Sequence, residues 1–192
     1  MSGMWRSLIL VAGLLVGAGP VLANSTDSDP ELRAELKAAA RSAGSFTDRF
    51  EAEVWLVDMS QRIQDWVGDT GERMRILKLV HREATRAGLE PELVLSVIHV
   101  ESLFNRFAIS SAGAQGLMQV MPFWKREIGR QGDNLTRIET NLRYGTTILK
   151  HYLEREDGDL IRALARYNGS LGQTWYPERV MKAWDAHYFV DH

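Results

Sequence analysis

The stretch PELVLSVIHVESLF, residues 91–104, decides how the chain is read. Pro91 stands where a first helical turn tolerates a missing N–H, and the spacing predicts a helix from Pro91 to Phe104. At about 100° per residue, Val94, Val97 and Ile98 share one face. Glu101 projects from the middle of that face, three residues after Ile98 and four after Val97. Glu92, Ser96 and His99 fall on roughly the opposite side, where a carboxylate meant for solvent would belong. Burial among apolar groups penalises the charged form of a carboxyl and raises its pKa. A carboxylic acid that keeps its proton near neutral pH can act as a general acid. Helical geometry leaves a second reading open, a structural glutamate satisfied by an arginine or by backbone amides.

Working outward, Asp69-Thr70-Gly71 opens a helical run from Glu72 to Ala87, which Gly88 closes. Before it, Thr47 to Val67 carries a helical pattern with Phe50, Val54, Leu56, Val57, Ile63 and Trp66. Residues that bulky need a partner surface, so this segment is expected to lie against the main body. Glu31 to Arg41 favours helix by composition, with a face made mostly of alanine. On the other side, a Ser/Ala/Gly-rich loop runs from Ala108 to Gly116. Helices are predicted over Glu139–Arg155 and Leu160–Asn168, the latter ending at Gly169. Pro177 is expected to start a last helix with Val180, Trp184 and Tyr188. Only Leu117 to Met121 hints at extended chain. The fold class is all-α, with an N-terminal helical extension over residues 24–70 and a catalytic domain over 71–192.

The first 23 residues read as an address rather than as fold. Met1 to Arg6 is a short basic start, Ser7 to Gly17 is almost wholly apolar, and Gly19-Pro20 breaks the run. Val21-Leu22-Ala23 then offers small residues at the positions a signal peptidase reads. The apolar run falls short of the roughly 20 residues a bilayer crossing takes. The expectation is export, to a bacterial periplasm, with no stable membrane anchor once the signal is cut. About 170 residues then remain, enough for one ordinary core. The chain has no cysteine, so there is no thiolate nucleophile and no lipidated cysteine at the cleavage site. A hydrophobic content of 45% fits a folded chain. A formal net charge of −2, with basic and acidic residues interspersed, argues against nucleic acid as a partner.

Three separated motifs then narrow the reading. Glu101-Ser102 with Phe104 leads to Ser110 and to Gly113-Ala114-Gln115-Gly116-Leu117-Met118-Gln119-Val120-Met121-Pro122. Asn141-Leu142-Arg143-Tyr144-Gly145 and Ala163-Leu164-Ala165-Arg166-Tyr167-Asn168-Gly169 follow in order. Together they resemble the lytic transglycosylases, specifically the soluble-lytic-transglycosylase (SLT) catalytic domain, which shares its core with goose-type lysozyme. The resemblance covers roughly Ile76 to Val180 and leaves residues 24–70 outside it.

The resemblance implies a lysozyme-like helical fold and a defined reaction on peptidoglycan glycan strands. Glu101 would protonate the glycosidic oxygen between N-acetylmuramic acid and N-acetylglucosamine. The resulting carboxylate would then take the proton of the muramic acid 6-hydroxyl, which closes on the anomeric carbon to leave a 1,6-anhydro end. One carboxylate suffices for this, whereas most glycosidases need two. No acidic residue occurs between Glu101 and Glu127, although Asp133 or Glu139 could approach in space.

The same resemblance places Ser110 near the acetamido group, with a helix N-cap as its plainer role. It makes Gln119 a glutamine lining the saccharide cleft, where an amide can donate to and accept from sugar. Met121 is read as core or cleft wall, and Tyr144, Tyr167 and Asn168 join the substrate-binding set, with a cap at the helix end as the plainer role of Asn168. Tyr167 matches a tyrosine whose hydroxyl approaches the catalytic glutamate. Tyr167-Asn168-Gly169-Ser170 departs from the commoner Tyr-Asn-Ala-Gly, which puts the following loop in doubt but keeps the tyrosine. Tyr176-Pro177 with Val180 resembles the closing segment of the family.

No cofactor or metal is expected, since the five histidines show no His-Glu-x-x-His spacing. A serine hydrolase lacks its Gly-x-Ser-x-Gly turn. Two rivals remain, a hydrolysing muramidase on the same fold and an inactive glycan-binding scaffold. Residues 24–70 could also recruit an envelope protein partner. Sequencing of the exported protein is expected to start near Asn24, and a retained Met1 would contradict the signal assignment.

Overall fold

A computed structural model describes residues 44–46 and 48–190. The expected signal and the helix at Glu31–Arg41 lie outside these residues. Among the described residues there are seven α-helices and no strand. They are α1 (Arg49–Ile63), α2 (Thr70–Ala87), α3 (Pro91–Ser102), α4 (Trp124–Ile128), α5 (Ile138–Arg155), α6 (Leu160–Asn168) and α7 (Trp175–Ala183). A π-helical turn, Trp184–Tyr188, continues α7. The fold is all-α. Between residues 108 and 121 only isolated bridges form, Ile109 with Gln115 and Gln115 with Val120, and these account for the hint of extended chain.

The helix ends follow from local chemistry. Asp48 and Asp69 accept hydrogen bonds from backbone N–H groups in the first turns of α1 and α2. Gly88 closes α2 with φ of 65°, a left-handed position that costs glycine little. Helix α7 starts at Trp175, two residues before the expected Pro177. Pro177 therefore occupies its first turn, where a backbone N–H has no helical partner to lose. The five-residue α4 escaped the sequence reading because one turn carries no usable period.

Helix α3 runs through the middle of the molecule and is covered on nearly every side. Leu93, Val94, Leu95, Val97 and Ile98 are buried, as expected for the apolar face. The opposite face is buried too, which corrects the sequence reading. Glu92 accepts from Trp55 Nε1 at 2.6 Å, and Ser96 Oγ donates to the Glu92 carbonyl at 2.7 Å. His99 Nδ1 lies 2.9 Å from the Tyr188 hydroxyl. Helix α1 and the C-terminal turn supply this second cover, and one core cluster contains Trp55, Leu56, Met59 and Ile63 together with α2, α3 and α5. The apolar residues of α1 divide: Leu56 and Ile63 pack inward, while Phe50 and Val54 stay exposed at 75% and 53%.

The end of α3 is sharp. Leu103 and Phe104 both adopt left-handed backbone, φ 48° and 61°, and the helix stops two residues before the predicted Phe104. Side chains other than glycine seldom hold this conformation without compensation. Phe104 is 3% exposed and faces the rings of Trp66, His99 and Tyr188, which supplies it. The reversal leaves Glu101 in the last turn, at the edge of the core.

Helices α2 and α5 are joined by a buried charge. Glu83 is fully buried and receives guanidinium hydrogen bonds from Arg82 at 2.9 Å, Arg86 at 2.7 Å and Arg143 at 2.6 Å. Burial alone would raise its pKa. The three guanidinium groups, Arg143 foremost, outweigh burial and hold the carboxyl at about 2. The stabilisation is thus complete above the unfolded carboxylate range and is lost as pH falls from about 4.5 towards 2. Glu83→Gln is expected to lower stability at pH 7 by about 2 kcal/mol, the half-exposed arginines softening the cost of an unpaired buried charge. Denaturant midpoints for both proteins at pH 7 and pH 3 check this, with the gap expected to narrow at the lower pH.

Candidate active site

The loop that follows α3 is shaped by Asn141, a fully buried residue on α5. Its Oδ1 accepts the Met118 N–H at 2.7 Å, and its Nδ2 donates to the Gln115 and Leu135 carbonyls at 2.7 and 2.8 Å. One amide thus satisfies three backbone groups of chain that has no strand or helix to pair with. Two glycines make this close approach feasible. A Cβ on Gly116 would strike the Asn141 amide and the Leu135 carbonyl, and one on Gly145 would strike the Met118 side chain. The Asn141…Gly145 spacing therefore has a mechanical meaning: the amide holds the loop, and one helical turn later Gly145 leaves room for Met118.

Further bonds fix the loop against the helices around it. Ser102 Oγ lies 2.7 Å from the Leu117 carbonyl, tying the last turn of α3 to the loop. Tyr167 on α6 donates its hydroxyl to the Met118 carbonyl at 2.7 Å. Gln119 has left-handed backbone, φ 46°, and its Nε2 donates to the Gly116 and Ala108 carbonyls at 3.0 and 3.2 Å. Ser110 Oγ accepts the Ala114 N–H at 3.0 Å and closes the turn between them.

Glu101 is partly buried and receives one side-chain hydrogen bond, from the Tyr176 hydroxyl to Oε1 at 2.6 Å. Burial raises its pKa, the Tyr176 hydrogen bond and the Arg179 charge oppose this, and the balance is about 7 against an ordinary 4.5. Tyr176 is 1% exposed. Burial and then the Glu101 charge push the pKa values of Tyr176 and Tyr167 well above the usual phenol range, so both remain O–H donors. Beside Glu101 opens a cleft of about 670 Å³, lined from α3 by His99 and Ser102, from the loop by Ala108, and from the C-terminal region by Arg179, Lys182 and His187. The carboxyl is thus removed from bulk water on one side and open to a ligand-sized space on the other.

The hydroxyl that bonds Glu101 belongs to Tyr176, and the Tyr167 hydroxyl is engaged by the Met118 carbonyl instead. Tyr144 is 4% exposed; its hydroxyl donates to Asp133 at 2.5 Å and accepts the Arg130 N–H at 3.2 Å, so it anchors the chain at 130–133. The Gln119 amide nitrogen is engaged by backbone, leaving its carbonyl oxygen as the group able to meet a ligand. Ser110 and Asn168 are exposed and Met121 is half-buried. None of these six lines the cleft beside Glu101. Arg179 was not foreseen, and Tyr176 was seen only as part of a closing segment. Its partner is 75 positions away, beyond any local period. Among the described residues no group of three or more histidine, cysteine or acidic side chains is placed to hold a metal ion.

Comparison with known proteins places this arrangement. The profile of the Transglycosylase SLT domain matches residues 78–188. A segment of 46 residues is 54% identical to membrane-bound lytic murein transglycosylase C of Actinobacillus pleuropneumoniae serotype 5b, covering 24% of this chain and 13% of that one. The corresponding protein of Glaesserella parasuis serovar 5 is 40% identical over 93 residues, 42% of this chain and 26% of that one. The transglycosylase of Enterobacteria phage PRD1 is 37% identical over 101 residues, 49% and 37% of the two chains. The chain spans well under half the length of these relatives. With the profile covering more than half of its residues, from α2 through the C-terminal turn, the chain belongs to the transglycosylase SLT domain family.

Proposed function

We propose that this chain is a peptidoglycan lytic transglycosylase that cuts the bond between N-acetylmuramic acid and N-acetylglucosamine and leaves 1,6-anhydro ends. The observation that carries the reading is the state of Glu101: a carboxyl beside an open cleft, bonded by Tyr176, with its pKa at about 7. At that value both forms are populated near neutral pH, as an acid that must next act as a base requires. In the first half-reaction the Glu101 proton passes to the glycosidic oxygen as the bond to the anomeric carbon breaks. In the second, the carboxylate takes the proton of the muramic acid 6-hydroxyl as its oxygen bonds to the same carbon. The proton is returned, and no water is consumed.

Tyr176 serves both halves. Its hydrogen bond stabilises the carboxylate that forms on proton donation, and it fixes the oxygen it touches. Among the described residues lining the cleft Glu101 is the one carboxylate, which favours this course over hydrolysis with a second flanking acid. Ser110, Gln119 through its carbonyl oxygen, Met121, Tyr167 and Asn168 belong to the proposal as contacts to neighbouring sugars. Export by residues 1–23, action in the periplasm, and an envelope partner for residues 24–70 belong to it as well. Among the described residues no helix is long and apolar enough to cross a membrane.

Glu101→Gln is expected to abolish anhydro-muropeptide release from purified sacculi. Mass spectrometry of wild-type digests should find products one water lighter than a muramidase yields. Release by the variant at wild-type rate would reject the assignment. The same substitution carries a stability signature. The folded carboxyl binds its proton more tightly than the unfolded one, so Glu101 becomes destabilising as pH rises from about 4.5 through about 7. Relative to wild type, Glu101→Gln should gain up to about 3 kcal/mol above pH 7 and nothing below about pH 4.5, read from denaturant midpoints. Tyr176→Phe removes a bond that favours the charged form. It should move the alkaline limb of the rate profile to higher pH and lower kcat roughly 10- to 100-fold; an unmoved limb would contradict the role given to Tyr176.

A further inference from the structure

The cleft beside Glu101 has an uneven charge. Its titratable lining is Glu101, Arg179, Lys182, His99 and His187. When Glu101 carries its proton, the cleft holds two fixed positive charges and no negative one. Arg179 and Lys182 are three positions apart on α7, so they share a face, and both are exposed.

Local ion pairing does not account for them. Glu178 precedes Lys182 by four residues, the spacing at which Lys150 and Glu154 close to 3.4 Å on α5. Among the described residues, Lys182 nevertheless makes no ion pair with Glu178 and lines the cleft instead. Arg179 likewise has no carboxylate within ion-pair distance among the described residues, whereas Arg62, Arg75, Arg86 and Arg143 each do. Its charge is felt at Glu101, where it opposes protonation. Two cations held next to an acid that works in its neutral form are a poor arrangement for the free enzyme. They become a good one once an anion sits between them.

We propose that Arg179 and Lys182 receive a carboxylate carried on the lactyl arm of the muramic acid residue, so that strands charged there are preferred over neutral ones. The inference rests on the peptidoglycan reading and names the substrate feature that the cleft selects. A guanidinium offers paired N–H donors that fit a carboxylate, and an ammonium adds a mobile point charge. Neutral sugar hydroxyls use neither to advantage. Binding an anion also screens Arg179 from Glu101, which favours the protonated acid when the strand is in place. Two sources carry this chemistry: the free lactyl carboxylate of a strand stripped of peptide, and the carboxylates of an attached peptide.

The test is equilibrium binding to Glu101→Gln, which does not cut, by titration calorimetry with three preparations. These are peptide-bearing strands, peptide-free strands with free lactyl carboxylates, and peptide-free strands coupled to methylamine by carbodiimide, which turns each carboxylate into a neutral amide. At least one charged form should bind about tenfold more tightly than the amide. Adding Arg179→Gln should bring that ratio close to one, and Lys182→Gln should lower it in part, with circular dichroism confirming the fold. Preference for peptide-bearing strands puts the anion on the peptide; preference for peptide-free strands puts it on the lactyl group. Equal or undetectable binding of all three, or a ratio untouched by both substitutions, overturns the proposal. Wild-type cleavage is followed in parallel. A missing anhydro product with the ratio intact would reject the transglycosylase reading and leave the anion site standing.

Discussion

A carboxyl group lifted out of water and given a single hydroxyl donor is pulled two ways. Loss of hydration favours the neutral form, and the hydrogen bond from Tyr176 favours the charged one, with the Arg179 charge on the same side. Burial wins by enough to bring Glu101 close to neutrality but not to lock it there. Glu83 shows the other outcome within the same molecule. Its side chain is shut off from solvent too, yet three guanidinium groups overturn the effect of burial and leave a permanent anion. The two glutamates differ in their partners far more than in their burial. One became a clamp between helices, the other a group able to gain and lose a proton.

The rest of the fold holds that balance in place. Helix α3 is covered on nearly every side, which holds its last turn, and the left-handed pair Leu103-Phe104 ends it abruptly beside the cleft. The irregular loop beyond has no ladder of its own. Its isolated bridges and turn bonds pair part of the backbone, and side chains satisfy further carbonyls and N–H groups: the Asn141 amide, the Gln119 amide, the Tyr167 hydroxyl and Ser102. Gln119 and Tyr167 thereby help to hold the loop in place. The tyrosine on the acid arrives from α7, which also carries the two cleft cations.

Helices with a strong period and clear punctuation were legible. Pro91 and Gly88 mark ends that the structure keeps, and Leu160–Asn168 is reproduced to the residue. Glu101 was legible because its neighbours at three and four positions are apolar. The burial of the opposite face was not legible, because Glu92 and Ser96 are covered by α1 and by the C-terminal turn, and such cover is not written in the period of α3. The hydroxyl partners of Tyr144 and Tyr167 were not legible, since a tyrosine near a motif carries no mark of where its hydroxyl points. Tyr176 was passed over for the same reason. Only the packing of α7 against α3 brings it to Glu101.

The chemistry turns on the proton affinity of one side chain, and that quantity can be read directly. A carbon-13 NMR titration of the Glu101 side-chain carboxyl, assigned by comparison with Glu101→Gln, should show a midpoint near pH 7 in the folded protein. A midpoint at or below the ordinary value near 4.5 would mean that the cleft does not protect a proton, and would contradict the mechanism built on it.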